Sequence, residues 1–252
     1  MSGIVSKALN NLHFHKLPAR SAGFVLLAGS LWGATAKADS VENMAGSWSS
    51  LTLSGKLGDF SPGLRGFRWT LIDQTRLRDD SPSAWRLNED QFYAQMGFSV
   101  NSYASVWLGY VHDWHHSLGK TDYHESRPYQ DLVFDFPVAR FTAKIRTRLE
   151  ERVNQSTGNV GIRLRQMSSL QFHLAFIDPK LSLYVGDEVL CHLNANSFGA
   201  TGFSENRAMA GFSFQLNRQL GMDLGYLGQT IQETGGDIVL THNVNANLSY
   251  RF

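Results

Sequence analysis

The sequence of 252 residues carries 23 lysines and arginines against 22 acids, with 42% hydrophobic residues. Its length suits one domain, and the lone Cys191 excludes an intramolecular disulfide or a cysteine-built metal cluster. So even a charge balance offers no basic face, which argues against nucleic acid as a partner.

Residues 1–38 hold Lys7, Lys16 and Arg20 with no acid, then an apolar run from Ala22 to Ala34, then Ala36-Lys37-Ala38 in the small-x-small form of a cleavage site. The run is shorter than the roughly 20 residues of a helical membrane span. The segment therefore reads as a cleavable signal peptide, cut after Ala38. Lys7, Lys16, Arg20 and Lys37 leave with it, so the mature chain, 39–252, is slightly acidic. Cys191 lies far from the cut, which speaks against a lipid-attached amino terminus.

No later stretch is apolar enough for a helical span. Segments of about ten residues alternate instead, the length of a tilted membrane strand. Ser50, Thr52, Ser54 and Lys56 alternate with Leu51, Leu53, Gly55 and Leu57; Gln91, Tyr93, Gln95, Gly97 and Ser99 with Phe92, Ala94, Met96, Phe98 and Val100. From Phe203 to Leu216, Arg207, Gly211, Ser213 and Gln215 oppose Ala208, Ala210, Phe212, Phe214 and Leu216, with Met209 as an inward exception. The final segment sets Asn243, Asn245, Asn247, Ser249 and Arg251 against Val244, Ala246, Leu248, Tyr250 and Phe252. A period of two turns one set to a wet interior and the other to lipid.

Strands are predicted near 48–57, 66–78, 89–101, 104–115, 124–136, 141–153, 159–172, 181–193, 203–216, 220–232 and 242–252. A membrane sheet must close on itself, because lipid satisfies no open edge. The expected fold is all-β: an antiparallel transmembrane β-barrel of about 10–12 strands. Bacterial single-chain barrels are almost always even, so ten remain if the Trp48 strand lies outside the wall, and twelve form if residues 39–46 add one. The lipid-like Leu51, Leu53 and Leu57 favour twelve. Tight connections at 101–103, 137–140 and 217–219, with longer ones at 79–88, 117–123, 194–202 and 233–241, put the C-terminus on the periplasmic side.

Trp48, Asp73-Gln74-Thr75-Arg76, Gly109-Tyr110, Glu125-Ser126-Arg127, Arg146-Thr147-Arg148-Leu149-Glu150-Glu151-Arg152, Arg163-Leu164-Arg165, Asp187-Glu188, Glu205-Asn206-Arg207 and Leu224-Gly225-Tyr226-Leu227 occur in that order. This pattern resembles the bacterial family of outer-membrane barrels catalogued as domain-of-unknown-function 2490. The resemblance implies the cell outer membrane of a Gram-negative bacterium and a barrel shape, and it supplies no catalytic residues. The terminal Ser249-Tyr250-Arg251-Phe252 similarly resembles the signal read by the barrel-assembly machinery, with Tyr250 and Phe252 as its aromatic positions. Expected partners are therefore outer-membrane lipid and lipopolysaccharide, with that machinery and periplasmic chaperones during biogenesis.

The alternation points Arg76, Arg127, Arg146, Arg148, Arg152, Arg163, Arg165 and Arg207 inward, with Glu125, Glu150 and Glu188 among their candidate partners. Charges at membrane depth belong in the lumen. By the period-two count the interior carries roughly five excess positive charges. Either an anion-preferring constriction or an ion-paired plug follows, and narrow barrels are usually packed with side chains. Asp73 and Glu151 break the pattern by facing outward, which a bulge would correct.

His112, Asp113, His115, His116, His124 and Glu125 cluster at two strand ends. His112, His115 and His116 carry a weak metal signal without any zinc spacing, and Trp114 beside them suits an interface belt. No cofactor is expected. An enzyme is the minority reading: a lipid-modifying hydrolase or acyltransferase with serine and histidine at the extracellular rim. No Gly-x-Ser-x-Gly signature marks the serine.

Overall fold

The computed structural model describes residues 40–80, 85–119, 121–233 and 236–252. The signal segment 1–38 and its cut lie outside the described residues. Eleven strands form: β1 Val41–Lys56, β2 Phe67–Arg78, β3 Arg86–Ser99, β4 Ala104–His115, β5 Tyr123–Val138, β6 Phe141–Asn154, β7 Val160–His173, β8 Leu181–His192, β9 Gly202–Gln215, β10 Leu220–Gln232 and β11 Ile238–Arg251. They close into one barrel in chain order. No helix of the described residues is long and apolar enough to cross a membrane.

The even count is corrected. Consecutive strands pair antiparallel, and an odd number makes the first and last run the same way, so β1 and β11 close the wall as a parallel pair from Val41↔Ile238 to Ser54↔Arg251. The Trp48 strand is therefore in the wall, between β11 and β2, and residues 41–46 begin that same strand rather than add a twelfth. A second consequence is that the first described residues and Phe252 lie at opposite ends. Connections 57–66, 100–103, 139–140, 174–180 and 216–219 share the C-terminal end, while 79–85, 116–122, 155–159, 193–201 and 233–237 share the other. The segment 57–66, with short turns at Leu57–Asp59 and Pro62–Leu64, is a long connection at the end expected to hold short ones.

The two faces invert the usual soluble pattern. Leu51, Phe92, Met96, Leu108, Val185, Leu224, Val244 and Leu248 are exposed on the outer wall, whereas the buried set is dominated by arginine, glutamate, aspartate, asparagine and glutamine in the lumen. Trp48, Val111, Tyr129, Leu190 and Leu227 are the apolar fillers of that interior. Gly97 and Gly109 allow the filling: a Cβ at either would collide with the ring of Trp107 or Tyr129, which lies flat against the inner wall. Register shifts occur at Arg76/Leu77 and Leu190/Cys191. Neither lies beside Asp73 or Glu151, and both of those side chains remain exposed.

Candidate functional site: the lumen charge belt and the outer rim cluster

Alternation delivers the inward side chains, and sheet register decides which of them meet. In the first arc, Arg76 of β2 donates to Glu89 Oε2 (2.6 Å) and Gln91 Oε1 (2.8 Å) of β3, and Gln91 Nε2 donates to Asp113 Oδ2 of β4 (2.7 Å). Arg127 pairs with Asp113 and with Glu125, and Arg152 of β6 forks the same Glu125 at 2.9 and 2.8 Å. In the second arc, Glu150 of β6 holds Arg163 and Arg165 of β7, and Arg165 also forks Glu188 of β8 at 3.0 and 2.9 Å. Glu188 accepts Arg146 at 2.6 Å and Arg207 at 3.4 Å, and Arg207 pairs with Glu205. Gln229, Thr241 and Asn243 carry the hydrogen bonds on to β11.

The arcs meet on β6, where Glu150 and Arg152 belong to one each. Trp48 of β1 closes the ring opposite, with the guanidinium carbons of Arg76 and Arg207 at 3.8 and 4.9 Å from its ring centroid. Cation–π contacts of this kind strengthen when water is excluded. Arg148 stands apart, forking Asp131 at 2.7 and 2.8 Å over the ring of Tyr129. Gln91, Asp113 and Glu125 are 0% exposed and Glu150 is 1%. Charges that deep are tolerable only when paired and hydrogen-bonded.

All eleven lumen residues singled out from sequence thus line the interior, joined into the two arcs except for the Arg148 pair. Glu205 was missed, although it sits two residues before Arg207 and the same period-two count would have found it. Its carboxylate reduces the inferred positive excess. Trp48 as a bridging ring left no sequence signal beyond its inward parity.

On the C-terminal side of the belt lies a chamber of about 730 Å³, bordered by Arg68, Lys144, Asp135, Asp223, Asn245 and Asn247. On the other side the 193–201 connection folds inward, placing the Phe198 ring 4.0 Å from the Arg152 guanidinium carbon.

The histidines separate. His115 faces inward, its Nε2 3.1 Å from Asp113 and 3.0 Å from Glu125 and its Nδ1 3.7 Å from Glu89. Glu89, Asp113 and His115 are close enough for one ion, but Arg76 and Arg127 already neutralise the two carboxylates. His116 bonds Asp122 in the 116–122 connection at 2.9 Å, and this bond holds the Asp122 carboxyl below its ordinary value. His112 is on the outer wall, so His112, His115 and His116 do not converge on a metal.

That outer wall holds a second cluster. Ser126 of β5 is register-paired with His112 of β4. Its Oγ accepts from Gln155 Nε2 at 2.7 Å and lies 2.8 Å from the Tyr110 hydroxyl, which is 3.4 Å from His112 Nδ1. His112 Nε2 is 3.5 Å from His124 Nδ1. At the C-terminus, Phe252 packs on Trp69 with ring centroids 5.6 Å apart and on Tyr250 at 4.9 Å.

A closed β-barrel with an apolar outer wall and a charged, hydrogen-bonded interior is the class these features define. The chain belongs to the family described as Protein of unknown function (DUF2490), whose match covers residues 45–239. It is also similar to an uncharacterized protein of Methylorubrum extorquens, 26% identical over 234 residues, which span 87% of this chain and 92% of the relative. No solved structure matches significantly.

Proposed function

We propose that the mature chain is an outer-membrane β-barrel whose lumen is plugged by the arginine–carboxylate belt, so that it does not act as an open pore. The belt carries this reading: every strand contributes to it, and its central carboxylates are out of reach of water. Packed interiors are usual near this barrel size, and clear aqueous channels need more strands. The anion-preferring channel loses ground because each belt arginine already has its carboxylate, with Glu205 adding one that alternation had left uncounted.

Membrane placement is supported by the outer wall. Its contiguous leucine, phenylalanine, valine and methionine surface exceeds what a water-facing monomer exposes. Lipid and lipopolysaccharide are then its surroundings, and Tyr250 and Phe252 its assembly signal, delivered through periplasmic chaperones to the assembly machinery. Cell fractionation tests the placement. The mature protein should sediment with outer membranes and change gel mobility on heating, whereas recovery in the soluble periplasm contradicts it.

A further inference from the structure

The polar cluster on the outer wall has no role in plugging the lumen. We propose that Ser126 is the nucleophile of an ester-cleaving site, acting on the ester-linked fatty acyl chains of a membrane lipid. The proposal rests on the wall facing lipid and is independent of whether the lumen conducts.

Position is the first support. Ser126 is the fourth residue of β5 (Tyr123–Val138), about 10 Å along the strand from the rim at a rise of about 3.3 Å per residue. That depth is the boundary between headgroups and hydrocarbon, where lipid esters lie. An aromatic belt accounts for Tyr110 and Trp114 at this level. It does not account for a serine, an amide and two histidines bonded in series on a wall that costs polar groups their hydration.

Polarity is the second. Gln155 donates to Ser126 Oγ, and the Ser126–Tyr110 and Tyr110–His112 contacts accommodate the arrangement in which serine donates to tyrosine and tyrosine to His112 Nδ1. With Nδ1 accepting, His112 carries its proton on Nε2, facing His124 Nδ1. In that arrangement the series runs serine to tyrosine to histidine in one direction, which general-base activation requires. The β5–β6 ladder also omits Arg127 and Pro128, the residues that follow Ser126, because proline has no N–H to give it.

In the reaction, Ser126 Oγ bonds to the ester carbonyl carbon as its proton passes to Tyr110 and the tyrosine proton to His112. The ester carbon–oxygen bond breaks, and the departing alcohol takes a proton back along the same path. Water, deprotonated by that path, then bonds to the acyl carbon; the bond to Ser126 Oγ breaks, the proton returns to Ser126 Oγ, and a fatty acid is released. His124 and Gln155 are positioning residues. Tyr226 and His242 form a built-in comparison on the outer wall, with hydroxyl and Nδ1 2.7 Å apart and no serine in the pair.

The test uses the full mature chain extracted from outer membranes, its fold checked by heat-dependent gel mobility. A fluorophosphonate probe reads serine nucleophilicity. Fatty-acid release is followed separately from phosphatidylethanolamine vesicles and from lipopolysaccharide, which distinguishes the two acyl sources. Wild type should label and release from at least one; Ser126→Ala should lose labelling and about 100-fold or more of the release. Tyr110→Phe should slow release and alter its pH profile, and Tyr226→Phe should match wild type. Folded wild type that neither labels nor releases from either source overturns the proposal, as does undiminished release from Ser126→Ala. Failure of membrane fractionation is a separate outcome that bears on the location.

Discussion

Arg165 reaches diagonally across the β7–β8 pair to Glu188, with Nε and Nη2 of the arginine 3.0 and 2.9 Å from the two carboxylate oxygens. The same carboxylate receives Arg146 from β6 and Arg207 from β9. One glutamate thus holds three guanidinium groups from three strands, and it is 2% exposed. Removing its charge leaves Arg146 without a carboxylate and loosens Arg165 and Arg207, which keep Glu150 and Glu205. Glu188→Gln should cost about 3–5 kcal/mol, the usual scale for breaking a buried pair. Urea unfolding in lipid vesicles measures it, and a loss within error of zero would mean that the belt does not stabilise the barrel.

The two faces of β11 should respond oppositely to a charge. Val244 is exposed on the outer wall at the middle of β11, so Val244→Arg should cost about 2–4 kcal/mol near the bilayer midplane. Asn247 borders the chamber and donates to Asp223 at 3.0 Å, so an arginine there meets an acid. Asn247→Arg should be tolerated. Equal damage from the two would contradict the assignment of faces.

Much of this was legible in the sequence, for a physical reason. Strand positions follow from alternation, a local property, and the Arg146–Arg148–Glu150–Arg152 series announces an inward face at a period of two. What escaped was non-local. Val41–Ser47 has no alternation and becomes strand through its pairing with Ile238–Val244. The eleven spans predicted from alternation are the eleven strands, and what the local pattern did not show is that β1 and β11 close the wall in parallel. Likewise, the meeting of Ser126 with His112 depends on the β4–β5 register, and the bonding of Glu188 to three arginines on how far side chains reach across β6, β7 and β9.

The parallel seam has a topological consequence. In the proposed outer-membrane setting, with Phe252 on the periplasmic side, residues at the start of β1 are expected on the cell surface. An epitope inserted after Asp39 should be stained on intact cells, and one in the 139–140 turn only after permeabilisation. The reverse pattern would invert the barrel; staining of both positions on intact cells would contradict the odd count.

Phe252 joins the terminal aromatic group with Trp69 and Tyr250, and its backbone N–H donates to Ser54 O at 3.0 Å across the seam. Phe252→Asp should lower the amount in the outer membrane and induce envelope stress, read by quantitative blotting and a stress reporter. Unchanged levels would remove both the assembly and the girdle role.

Conductance in a planar bilayer tests the plug most directly. The purified protein, inserted from detergent into a membrane bathed in potassium chloride, should show no stable current steps. Glu188→Gln, which loosens the belt, should show at most brief ones. Long-lived ohmic steps from the unmodified protein would contradict the account, because the proposed plug fills the lumen with the buried, ion-paired belt around Glu125, Glu150 and Glu188.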